Sequence, residues 1–78
     1  MDNFDKYNTT FVESLGVSIE DLPNLKYQDI PSWDSIGHMS LMAALENAFE
    51  IMLDMDDILD FSSYETGKQI LSKFQIVI

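Results

Sequence analysis

The sequence predicts an all-α fold, a small four-helix bundle with three longer helices and one short third helix. Apolar residues recur at three-and-four spacing near the start, and a longer apolar run follows Pro31-Ser32. No stretch alternates polar with apolar residues as a half-buried strand would. The 78 residues suffice for one domain, 1–78, near the lower limit for a core without disulfides or metal.

Phe4, Tyr7, Phe11, Val12 and Leu15 form the apolar stripe of a first helix over residues 3–15. Gly16 follows the last periodic residue, where a left-handed C-terminal residue is wanted. Residues 17–34 hold Pro23 and Pro31 and an irregular apolar set, Ile19, Leu22, Leu25, Tyr27 and Ile30. A long connection packed against the bundle is expected there. Pro31 and Ser32 resist helix, so the second helix runs from about 35 to 50 with Asp34 and Ser35 at its N-cap. At about 100° per residue, Leu41, Met42, Leu45, Ala48 and Phe49 make its core stripe. Ile36, Met39 and Ala43 make an opposite strip expected to face solvent. Gly37 in the first turn costs up to ~1 kcal/mol relative to alanine, and it reads equally as room for a partner's approach or as a tolerated flaw.

A short helix over Met55–Phe61 carries the apolar Met55, Ile58, Leu59 and Phe61, with Asp56, Asp57 and Asp60 expected to face water. Ser62, with Glu65 three residues on, matches a capping box opening a last helix through about Lys73. Tyr64, Ile70, Leu71 and Phe74 point inward in that helix, and Gly67 weakens it. Residues 75–78 are β-prone but too short to pair alone.

Nine aromatic residues and a 46% hydrophobic composition supply a compact core and argue against disorder. The absence of cysteine excludes a disulfide framework and any thiol chemistry from the polypeptide itself. The acidic residues Asp2 and Asp5 stand where a signal peptide would be basic. No apolar run approaches the roughly 18 residues that span a bilayer, so a cytoplasmic, non-inserting monomer is expected. The net charge is −10, and no lysine lies between Tyr27 and Gly67. Such a chain repels nucleic acid and anionic membrane and steers toward basic partners, although a charge run also serves as a solubility coat.

Three chemical readings fail on the residues. Asp34, Ser35 and His38 are the residue types of a hydrolytic triad, but one helical turn between serine and histidine supplies neither the bridge nor an oxyanion hole. His38 is better read as a partly buried, hydrogen-bonded side chain at the mouth of an internal cavity. Asp54, Asp56 and Glu65 match three positions of a calcium loop, but Ile58 and Leu59 occupy a ligand position and the obligatory glycine position. One histidine and no cysteine argue against zinc.

An Asp-Ser pair before a helix is also ordinary capping chemistry. The surrounding residues add to it. Asp34-Ser35-Ile36, followed by Met39, Leu41, Met42, Ala44-Leu45-Glu46 and Phe49-Glu50-Ile51, resembles the second helix of acyl carrier proteins, whose Asp-Ser-Leu motif carries 4′-phosphopantetheine on its serine. The order and lengths of the other helices and of the long loop are similar to that family as well. The resemblance implies a freestanding carrier, not an enzyme. Ser35 would be modified by a phosphopantetheinyl transferase and hold acyl or aminoacyl groups as thioesters for loading and transferring enzymes. It further implies a docking face for basic partners at Asp34, Ile36, Met39, Ala43 and Glu46. Trp33, Gly37, Ser40, Asn47 and Ala48 depart from the pattern of fatty-acid carriers. They favour a dedicated partner set, as in polyketide, aminoacyl or surface-glycan routes. An acidic helical adaptor that docks partners through Ile36 and Met39 without any prosthetic group is the rival reading.

Overall fold

The computed structural model describes residues 2–78, and Met1, included in the single-domain expectation, lies outside the described residues. Helix α1 spans Asn3–Leu15, a 3-10 helix spans Ile19–Asn24, α2 spans Ser35–Phe49, α3 spans Met55–Asp60 and α4 spans Tyr64–Ser72. The all-α prediction holds, with no strand among the described residues and one isolated bridge between Lys26 and Ser63. Among the described residues there are five helical elements rather than four. Part of the expected long connection coils as the 3-10 helix around Pro23, where Leu22 turns into the core and Leu25 N–H bonds Leu22 O at 3.0 Å. Proline suits so short a helix because its fixed φ costs nothing further and few donors are needed.

Helix α1 lies along α2, and the 3-10 helix rests against α1 and α4. Asp2 caps α1 by accepting from Asp5 N–H at 2.8 Å, and Gly16 closes it in the left-handed region at φ 68°. The core begins at Tyr7, so Phe4, 48% exposed, lies outside the buried stripe. Phe11 is the hub of an aromatic cluster, with ring centroids 4.9 Å from Tyr7, 5.4 Å from Tyr64 and 5.7 Å from Trp33. These edge-on contacts are the favourable aromatic geometry, each worth roughly 0.5–1.5 kcal/mol beyond buried area. The polar groups inside are paired: Tyr7 Oη donates to Tyr64 O at 2.7 Å, and Tyr64 Oη donates to the Asn8 side chain. Burial pushes both phenols above their usual range.

Three sequence expectations about the second half change. The cap of α4 is Ser63, whose Oγ accepts from Thr66 N–H at 3.0 Å, because Ser62 O is taken by Tyr27 N–H at 2.9 Å. Gly67 is not a weak point. A Cβ there would lie 2.2 Å from both Phe61 Cζ and Tyr7 Oη, so its bare backbone is what lets α4 approach the core. Asp57 does not face water. It is buried and paired with Lys73 of the α4 C-terminus, and that hydrogen-bonded ammonium, against the opposing effect of burial, holds its carboxyl below the usual carboxylate range. The same pairing raises Lys73 above the usual lysine value.

Gly67→Ala is expected to destabilise the fold by about 1–3 kcal/mol in urea denaturation, as overpacking does, and an unchanged midpoint would contradict the close approach. The Asp57 carboxylate contributes its stability fully above its unfolded pKa, about 3.9, and loses it as pH falls through the lower folded value. Asp57→Asn is therefore expected to be less stable than wild type at neutral pH. The gap should close as pH is lowered through 4 and below, whereas a gap independent of pH would refute the pairing.

Candidate functional site

The site is built at the start of α2. Asp34 is extended, at φ −100° and ψ −168°, and its Oδ1 accepts from Gly37 N–H at 2.8 Å, making it the N-cap. Ser35 is therefore the first helical residue, with an exposed side chain. The first N–H groups of a helix have no partner within it, so this end carries partial positive charge.

The residues before it are held by a closed loop. Gln28 N–H donates to Trp33 O at 3.0 Å, Trp33 N–H to Ile30 O at 3.1 Å, and Asp29 Oδ2 accepts from Lys26 N–H at 2.9 Å. Closing it places Gln28 in the left-handed region at φ 71°, an uncommon conformation for a residue with a side chain. Ser32 Oγ donates to Leu15 O at 2.8 Å, which satisfies a carbonyl at the end of α1. Neither sequence reading of Gly37 survives. A Cβ there would fall 1.8 Å from Ser32 O, so the glycine admits the chain's own loop.

Trp33 is fully buried and plugs this loop into the core. Its Nε1–H donates to His38 Nδ1 at 2.9 Å, and the other imidazole nitrogen lies 2.8 Å from Ile58 O. Indole is only a donor and a carbonyl only an acceptor, so His38 must be the neutral tautomer protonated on Nε2. The imidazole thus ties the loop to α2 and α2 to α3. His38 is partly buried and hydrogen-bonded, as its sequence position suggests, and it lines a pocket of about 290 Å³. Ser35, Tyr27 and Met39 line one part of that pocket, Met55, Ile58 and Leu59 of α3 another, and Phe61 and Ser62 complete it. Ser35 Oγ is 3.1 Å from Tyr27 Oη. With His38 committed to Trp33 and Ile58, and Ser35 to Tyr27, the Asp34, Ser35 and His38 side chains do not form a triad.

Ile36, 78% exposed, and the exposed Met39 and Ala43 form a strip on α2 beside Ser35. Asp34 and Glu46 flank it but also have structural work. Asp34 caps the helix, and Glu46 Oε2, half-buried, accepts from Leu53 N–H at 2.8 Å to hold the α2–α3 connection. Across the pocket from Met39, apolar surface continues on the exposed Met55 and Leu59 of α3, which sequence reasoning did not assign to the site. No local pattern in the sequence points to Met55 and Leu59, since their direction follows from the burial of Asp57. Once Asp57 turns inward, residues two before and two after it on a helix must turn outward.

No lysine lies on α2 or α3, whereas Lys6 sits over the Phe49 ring, Lys68 pairs with Glu65 at 3.1 Å and Lys73 pairs with Asp57. The charged residues of α2 and α3 around the exposed apolar strip are therefore all carboxylates, while the remaining lysine, Lys26, is exposed beside Tyr27. No family model matches this chain, and no curated protein or solved structure matches it. Among the described residues, no cluster of three ligating side chains suits a metal ion, and no helix is long and apolar enough to cross a membrane.

What the arrangement offers chemically is an exposed hydroxyl at a positive helix end, a phenol beside it and an apolar recess next to both. His38→Ala would leave the buried indole N–H without an acceptor. A loss of about 1–3 kcal/mol is expected in chemical denaturation, and a variant within about 0.5 kcal/mol of wild type would show that the tie is dispensable.

Proposed function

We propose that this chain is an acyl carrier domain, with an acyl-carrier-like helical fold, bearing 4′-phosphopantetheine on Ser35. The observation that carries the reading is the Ser35 hydroxyl itself, exposed on the first residue of α2 and lining the apolar pocket. A phosphodiester on Ser35 would meet the positive dipole end of α2 and the first-turn N–H groups other than that of Gly37, which the Asp34 carboxylate takes. In the modification, Ser35 Oγ forms a bond to the pantetheine phosphorus of coenzyme A, the P–O bond to the nucleotide breaks, the nucleotide leaves, and the serine proton passes to the transferase. The arm supplies the thiol that the cysteine-free chain lacks, for thioester chemistry on acyl or aminoacyl groups.

The residues of the chain divide the remaining tasks. Ser35 is the attachment point, and Tyr27, Met39, Met55 and Leu59 provide apolar surface beside it. Ile36, Met39 and Ala43, flanked by Asp34 and Glu46, form the docking strip, where the anionic surroundings speed encounter with basic partner enzymes and small apolar contacts allow rapid release. The transferase and the enzymes that load and unload the cargo are those partners. The domain catalyses no step itself and acts in the cytoplasm as a monomer. The departures at Trp33 and Gly37 do not count against the reading, since Trp33 fills the core and Gly37 admits the loop.

The rival reading, an acidic adaptor without a prosthetic group that docks partners through Ile36 and Met39, draws on the exposed thioethers of Met39 and Met55 on one pocket, since flexible thioethers suit adaptable protein contacts. Intact mass separates the two. Incubation with coenzyme A and a broad-specificity transferase is expected to add about 340 Da to wild type and nothing to Ser35→Ala, as a covalent modification requires. A wild-type chain that stays at its original mass would favour the adaptor.

A further inference from the structure

Tyr27 stands out among the residues around Ser35 because its position is fixed from several directions. Its N–H donates to Ser62 O at 2.9 Å, and the neighbouring Lys26 bridges Ser63, so the backbone is pinned to the start of α4. Its ring meets His38 edge-on at 5.2 Å and Trp33 edge-on at 6.3 Å. The left-handed turn at Gln28, closed onto Trp33 O, then folds the chain back on itself. The result is a half-buried phenol whose Oη is 3.1 Å from Ser35 Oγ. A phenylalanine would make the same ring contacts, so packing does not account for the hydroxyl.

We infer that Tyr27 is a positioning residue for the group carried on Ser35, its phenol donating a hydrogen bond to the phosphodiester and directing the arm across the pocket toward α3. This rests on the carrier reading of Ser35. In the unmodified chain either hydroxyl serves as donor, since both are donor and acceptor. Esterification removes the serine proton and leaves only acceptor oxygens, so Tyr27 alone becomes the donor. The serine Oγ itself becomes an ester oxygen, so the phenol turns to an adjacent non-bridging phosphate oxygen, where a bond to the anion is shorter and stronger than one between neutral groups. The pocket walls of Met39, Met55 and Leu59 lie alongside Ser35. Holding the root of the arm over them favours the folded-back arrangement over one swinging free in water.

The test uses the full-length chain with ring-labelled tyrosine, before and after modification, together with Tyr27→Phe. The Tyr27 Cζ resonance is expected to move on modification while those of the buried Tyr7 and Tyr64 stay in place. The phosphorus resonance of modified Tyr27→Phe is expected to differ from that of modified wild type at a matched melting temperature. A Tyr27 resonance unmoved by modification, or phosphorus resonances that coincide, overturns the inference while leaving Ser35 as the attachment point. If Tyr27→Phe loses its fold, the labelled wild-type comparison decides alone. A wild-type chain that gains no mass removes the carrier reading, and this inference with it.

Discussion

The hydrogen bond from the Trp33 indole to His38 Nδ1 is the constraint on which the Ser35 end of the molecule depends. A tryptophan buried in a core this small needs an acceptor for its N–H, and one left unpaired would cost about 1–3 kcal/mol. His38 is the single histidine of the chain, five residues on and one turn into α2. Accepting from Trp33 obliges the imidazole to carry its proton on the other nitrogen, which then reaches Ile58 O of α3. The loop, α2 and α3 are thereby locked in one arrangement. Ser35, lying between Trp33 and His38 in the chain, is left outside with its hydroxyl exposed. Gly37 completes the arrangement by letting the Ser32 carbonyl sit where a side chain would otherwise stand.

The second organising feature is how the acids are distributed. Most serve as caps or as solvated charge, with Asp2, Asp34 and Asp54 each accepting from a first-turn N–H three residues on. Glu46, which holds the α2–α3 connection, and Asp57 are exceptions; Asp57 is drawn inward by Lys73, and this sets the roll of the six-residue α3. Met55 and Leu59 are turned out as a consequence, extending the apolar strip of α2 around the pocket. One ion pair between the buried Asp57 of α3 and the exposed Lys73 at the end of α4 thus shapes the surface next to Ser35.

Much of this was legible in the sequence. The 3-to-15 helix, its Gly16 stop, the start of α2 at Asp34-Ser35 and the exposure of Ile36 and Met39 follow from periodicity and capping alone. The misses share a cause, since each depends on a partner far along the chain that local pattern does not name. Gly67 looked like a helix weakness until Phe61 and Tyr7 were seen to fill the space above it. Ser62 yielded the capping role to Ser63 because Tyr27 claims its carbonyl. Asp57 read as solvated because Lys73 lies sixteen residues away. Trp33 read as an odd neighbour of Ser35, although a lone tryptophan near a lone histidine was itself a hint that the two are paired.

The tautomer of His38 tests this account most directly, because the whole arrangement requires it. Nitrogen-15 spectroscopy of the imidazole at neutral pH should find Nε2 protonated, Nδ1 bare, and a through-bond coupling between Nδ1 and the Trp33 indole nitrogen. A proton found on Nδ1, or an imidazole exchanging freely between tautomers with no coupling to Trp33, would mean that the loop is not held by this bond and that something else presents Ser35.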